Sequence, residues 1–472
     1  MRREPSKHTR CRFGIAIRDI TPPVGIYNRA WGAAMHDTAE GVHRPLRATA
    51  TLFAPLDGPA DAPPFALVAL DLGWFMNPAD EAWFRSLVRG RTGVPDDRFL
   101  LTLSHAHCTA VAATHLADRP GGDLAVRYLT TLAERVTEAI EAARADLAPA
   151  WILWGEGVCT LAKNRDYPDD EAGKYACGYN PTPPEPPDTT LLVGRVTGDN
   201  GATRATFFNY GCHPTTLAWD NRLLSPDYIG AAREILETAF SAPAVYLHGA
   251  DGELGPREGY VGDTAVADRN GRILGYAAAS AIESLPPADM TYVYAGIVTS
   301  GADIGVWRYA PASADELAGG DTLAAHIETV NIPTRPYPSV EEFHARLAAT
   351  ETSDRPTWEK TQRALMIREA LDRSNGEGDV RALPLPCWRL GGALLLAVPD
   401  EPYNVLQRDV RAAFPGVPVL VLVTTNGALG YLCPRETYGS GRYQVVQSPY
   451  LPGCLEAATE AAIAGLRTVA RR

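Results

Sequence analysis

The stretch Phe99-Leu100-Leu101-Thr102-Leu103-Ser104-His105-Ala106-His107 decides how this chain is read. A short apolar run that stops at polar residues is the pattern of a strand buried on both faces. In open α/β sheets, sites gather beyond the carboxyl ends of the strands, which is where His105 and His107 stand. On an extended backbone residues i and i+2 share a face, so the two imidazoles are expected to project together. Such a pair can share a metal, or divide metal binding from proton transfer.

The same arrangement recurs along the chain. Ala205–Tyr210 runs into Gly211-Cys212-His213-Pro214, and Pro214 biases His213 toward extended geometry. Ala244-Val-Tyr-Leu-His248 leads into Gly249-Ala-Asp251-Gly252-Glu253-Leu-Gly255-Pro256, whose glycines permit close backbone approach. Such a segment suits a pocket wall as well as a plain turn, and Asp251, Gly252 and Gly255 are placed in the wall. Ala393–Val398 reaches Pro399-Asp400-Glu401, and Val417–Thr424 reaches Tyr431. His115 has no such partner and reads as structural.

Further strands are expected at 65–72, 151–155 and 190–196. Helices are expected at 123–145, 228–239, 267–283, 340–370, 403–413 and 455–470. This alternation specifies an α/β fold, a single large mixed domain over residues 11–472. The Pro-rich stretch at 180–187 reads as a surface loop. A polar segment between Pro333 and Asp379, with breakers at Ser374, Asn375 and Gly376, reads as an excursion from the main sheet.

Composition sets outer bounds. The 472 residues are 46% hydrophobic and 21% charged, enough for a sizeable core without disulfides or a structural metal. The 8 cysteines are scattered with no CxxC pair, which excludes a thiolate zinc site and reads as reduced thiols. The net charge of −12 offers no basic stripe for nucleic acid. Met1–Arg10 is polar, with no apolar segment of export-signal length, and no run approaches a membrane span, so a cytoplasmic location is expected.

At these residues the chain resembles the catalytic domain of the neutral ceramidases, zinc-dependent N-acylsphingosine amidohydrolases. The resemblance runs from about Gly14 to about Pro452. It opens on Asp19-Ile20-Thr21-Pro22-Pro23-Val24-Gly25 and Gly41-Val42-His43-Arg44, and continues through Ser104-His105-Ala106-His107 and Asn164-Arg165. It then passes Cys212-His213-Pro214-Thr215, Pro399-Asp400-Glu401 and the Tyr431–Gln444 region. What it implies is a Zn2+ held by His105, His213, Glu401 and Tyr431. It also implies His107 and Tyr443 as proton shuttle or oxyanion stabiliser, and Arg165 as an anchor for a polar or anionic substrate group.

The departures bear on function. Where the family has a catalytic serine in Gly-Asp-Val-Ser-Pro, this chain has Gly252-Glu253-Leu254-Gly255-Pro256. Cys108-Thr109-Ala110 and Leu432-Cys433-Pro434 also differ, so sphingoid specificity does not carry over. The immunoglobulin-like C-terminal domain of many members is expected to be absent. The expected activity is amide hydrolysis by metal-activated water on a small-molecule or N-acyl substrate. The alternatives are a biosynthetic enzyme acting on a small polar metabolite by hydrolysis, acyl transfer or condensation, and a metal-free binding protein.

Overall fold

The structure, a computed structural model, describes residues 3–4, 7–59, 62–351, 354–373 and 379–472, apart from the Pro356 side chain. Eight strands form the main sheet: β1 (Lys7–Asp19), β2 (Arg47–Ala54), β3 (Phe65–Leu70), β4 (Phe99–Leu103), β5 (Ala148–Val158), β6 (Thr190–Gly198), β7 (Thr203–Tyr210) and β8 (Ala244–His248). Their spatial order is β8-β7-β6-β5-β1-β2-β3-β4. Only the outer pairs, β7 with β8 and β3 with β4, are parallel. A second sheet of β9 (Leu323–Pro333), β10 (Val380–Leu390), β11 (Ala393–Ala397) and β12 (Val419–Leu422) lies against it.

Side-chain alternation builds the layers. On β3, Phe65 and Leu67 face the second sheet, where Trp388, Leu395 and Leu420 complete one core. Ala66, Val68 and Leu70 face the opposite way, onto the helices α1 (Pro78–Thr92) and α2 (Gly122–Ala145). The period of two thus feeds two cores from one strand. At the β7–β8 end, α3 (Tyr228–Phe240) and α4 (Thr264–Glu283) cover Phe208 and Tyr246. The outer face of the second sheet packs on the C-terminal helix Cys454–Ala470. The result is two stacked sheets with helices on both outer faces, the mixed α/β class expected.

Two expectations change. The helix at 340–370 is two helices, Val340–Ala349 and Arg355–Arg373. The chain turns extended at Thr350, and Pro356, which lacks an N–H, fits a first helical turn and not a helix interior. The breakers Ser374, Asn375 and Gly376 lie outside the described residues. Helix α1 went unread, although Asn77 caps it, Pro78 starts it and Gly93 ends it at φ +67°. No helix among the described residues is long and apolar enough to cross a membrane.

Candidate metal centre

Cross-links hold the strand ends of the two sheets in one place. Asn426 exchanges hydrogen bonds with Leu101 on β4, its N–H donating over 3.0 Å and its Oδ1 accepting over 2.8 Å. The Val423 N–H donates to the His248 carbonyl at 2.9 Å, and the Asn209 amide donates to the Val421 carbonyl at 2.9 Å. Residues far apart in sequence therefore meet at one rigid edge.

His105 enters by a route the sequence did not suggest. The chain leaves β4 after Leu103, and His105 takes φ +61°, a left-handed conformation uncommon for a non-glycine residue. The i, i+2 alternation expected from extended backbone is thus replaced by a sharp turn, yet both imidazoles still converge, with ring centroids 5.0 Å apart. His213 joins them, its centroid 4.5 Å from His105 and its Nε2 3.2 Å from the His107 Nε2. Ligand atoms of His105, His107 and His213 all lie within 4.8 Å of one another, a group that could hold a metal ion.

The hydrogen bonds show what is missing between them. His105 Nδ1 sits 2.8 Å from the Gly73 carbonyl, which accepts from it and so leaves Nε2 with a bare lone pair. That lone pair faces Glu401 Oε2 at 3.4 Å, and the same oxygen lies 3.9 Å from His213 Nε2. His213 turns its Nδ1 to Asp251 Oδ2 at 3.5 Å, and Asp251 is shared with His248 at 3.1 Å. His105 Nε2 and Glu401 Oε2 are buried without hydrogen-bond partners among the described residues. A cation, whether a proton on His105 or a metal ion, could sit between these two groups. The separations suit a metal, since tetrahedral ligands at about 2.0–2.1 Å from zinc stand roughly 3.4 Å apart.

Electrostatics follow from this crowding. Burial alone would raise Glu401, but the His105 and His213 rings outweigh it and hold its carboxyl near 2. Burial also opposes ionisation of Asp251, and His248 and His213 still hold it well below the carboxylate range. Burial, reinforced by the Arg165 guanidinium, lowers His213 to about 4. Burial, then His105 and His213, keep His107 well below its ordinary value. His105 is shifted upward, because Glu401 overcomes its burial. His213 and His107 are thus held neutral beside ionised Glu401 and Asp251, whereas a metal at His105 would have to displace the proton that Glu401 favours there.

The other expected site residues fall into two groups. Tyr431 pairs with Glu401 across a short parallel bridge, and burial raises its phenol pKa, as does the adjacent Glu401. Tyr443 stands 6.0 Å from the Tyr431 ring. Both line a cleft of about 250 Å³ together with His105, His107 and Glu401. Arg165 is buried behind it. Its Nε and Nη2 donate to the Gly252 carbonyl, at 3.2 and 2.8 Å, and Nη2 also reaches the Tyr431 hydroxyl at 3.3 Å. Asp251, Gly252 and Gly255 stand in this rear layer and not among the cleft-lining residues. A Cβ at Gly255 would meet Arg165 Cδ at 3.6 Å and Thr215 Oγ1 at 3.7 Å, ordinary contacts, so packing does not force the glycine.

Sequence reading missed three contributors. His248 shares Asp251 with His213, and its position at the end of β8 was the available signal. Trp31 and Trp74 flank His107, at 5.1 and 4.9 Å between centroids, with nothing local in sequence to mark them. The Arg355–Arg373 helix supplies Trp358, Gln362 and Arg363 to the cleft mouth.

Fold and site together define a two-sheet α/β protein with a buried histidine and carboxylate cluster where strand ends meet. No family model and no curated protein sequence matches the chain. Among solved structures it is similar to a ceramidase complexed with C2, with a TM-score of 0.67 and 17% identity over 99% of this chain and 76% of that one. It is likewise similar to the neutral ceramidase from Pseudomonas aeruginosa, with a TM-score of 0.66 and 18% identity over 99% and 75%. The likeness is one of fold, and it agrees with the resemblance seen in the motifs.

Proposed function

We propose that this protein is a zinc-dependent hydrolase of linear amides, with His105, His213, Glu401 and Tyr431 as metal ligands. The observation that carries the reading is the buried meeting of imidazole lone pairs with the Glu401 carboxylate at a cleft floor. Zn2+ bound there supplies a water acidified toward a pKa of about 7 and a Lewis acid for the carbonyl.

The chain's own groups do the rest. The Gly73 carbonyl fixes the tautomer of His105, and Asp251, 3.5 Å from His213 Nδ1, stands where it can orient that ring and raise its basicity. His107 is kept neutral, and its Nδ1 has no partner among the described residues, so it can carry a proton to the leaving nitrogen. The Tyr443 hydroxyl, at the same cleft wall, donates to the carbonyl oxygen as charge develops there. Arg165 is a positioning residue that ties the Gly252 loop to the Tyr431 phenol.

The test is hydrolysis of N-acyl amides by protein stripped with a chelator and then reloaded. The reading expects activity to vanish with the metal and return with Zn2+. Activity indifferent to the chelator, or no cleavage of any linear amide by the loaded protein, contradicts it. Gly255, in place of a serine, favours a second reading in which the same cluster serves acyl transfer or condensation on a polar metabolite. Product analysis with an added amine acceptor separates the two. A metal-free binding protein leaves the opposed acceptors at the cleft floor without a purpose.

A further inference from the structure

The cleft mouth has a charge pattern of its own. His115, Arg119, Trp358, Glu359 and Arg363 all line it. Other charges around it are neutralised. Asp37 pairs with Arg355 at 2.7 Å and with Arg29 at 3.5 Å, and Glu359 accepts from Arg355 at 2.7 Å. Arg119 and Arg363 have no acidic partner among the described residues, although the chain carries a net charge of −12.

Both arginines line the cleft. The Arg119 guanidinium lies over the Trp358 ring, 4.5 Å from its centroid, which orients its donors while leaving them unbonded. Burial raises the Tyr443 phenol and the nearby Arg363 charge opposes that rise, at a ring 6.0 Å from Tyr431. The Nδ1 of His115, which also lines the cleft, is buried without a hydrogen-bond partner among the described residues. Burial and the neighbouring Arg119 keep His115 neutral, so the two guanidiniums are the charged donors here, and unpaired donors lining one space are a receptor for an anion.

Resting on the amide-hydrolase reading, we infer that Arg363, Arg119 and His115 form an anion subsite, so that the preferred substrate is a linear amide bearing a carboxylate or a phosphate. A neutral sphingoid amide would leave this subsite unfilled.

Three matched probes test it on the zinc-loaded protein: N-hexanoylglycine, the phosphate ester of N-hexanoylethanolamine, and neutral N-hexanoylethanolamine. Charge-assisted contacts of this kind favour an anionic probe in kcat/KM by about tenfold. Arg363→Ala and Arg119→Ala each shrink that ratio, Arg363→Glu inverts it, and the better anionic probe identifies the group. Preference for the neutral probe, or a ratio unchanged in all three variants, overturns the subsite. If no probe is cleaved, the amide reading fails separately, and calorimetric titration of the same probes decides. Tighter binding of an anionic probe, lost in Arg363→Ala, then retains the subsite, whereas equal binding of all three rejects it.

Discussion

The floor and the mouth of the cleft are built on opposite principles. The floor takes His105, His213, Glu401 and Tyr431 from the ends of strands and short bridges, all buried and locked by cross-links between the sheets. The mouth takes Trp358 and Arg363 from a helix tied down by the Arg355 to Asp37 ion pair and a small cluster of Ile367, Leu371 and Leu429, among other contacts. Chemistry that needs positions held to a fraction of an ångström belongs on the first kind of element, and discrimination between substrates belongs on the second.

Substitutions at the floor should do the most damage. His105→Ala or His213→Ala is expected to abolish metal retention and lower amide hydrolysis by about 10³-fold, since a Lewis acid contributes several kcal/mol to the transition state. Steady-state kinetics beside metal analysis reads both effects. Asp251→Asn, one layer back, should weaken zinc affinity by about 10–100-fold while leaving the ligands in place, as measured by competition with a chelator.

A titration tests the layer behind the floor. Burial pushes the Glu253 carboxyl up to about 8, although it accepts from the Asn404 N–H at 2.7 Å. The folded state therefore holds a proton there that the unfolded chain, near 4.5, has already lost. Stability falls as pH rises between those values and levels off above about 8. From pH 6 to 8 the contribution is about 2 kcal/mol, and Glu253→Gln should flatten that part of the profile in urea unfolding. An unchanged slope would mean the carboxyl is ionised at neutral pH.

The smallest effect is expected at the mouth. Trp358→Ala removes the ring under Arg119 and should raise KM for an anionic amide by an amount worth about 0.5–1 kcal/mol, with kcat nearly constant. A loss confined to kcat would move Trp358 from the mouth to the floor and break the contrast.

The same contrast governs how much was legible in the sequence. Each floor residue follows an apolar run that ends in Gly, Pro or a polar turn, so β4, β7, β11 and β12 announced themselves locally. Their convergence was carried by the motif resemblance. What sequence could not show was the route: the left-handed turn at His105 depends on its N–H meeting the Leu72 carbonyl at 3.0 Å, a contact from another segment. The resemblance implied Arg165 as a substrate anchor, and nothing near it in sequence marks its hydrogen bonds to the Gly252 carbonyl. The mouth was least legible of all. Residues 355–373 form a polar helix without a strong apolar stripe, and only its placement over the site gives Trp358 and Arg363 a purpose.

Metal binding by the full chain tests the central claim most directly. Protein stripped of metal and titrated with Zn2+ in a calorimeter should take up about one ion per chain with release of protons, and Glu401→Gln and His213→Ala should each lose that tight binding. A flat titration of the wild-type protein, or uptake that persists unchanged in both variants, would contradict the account.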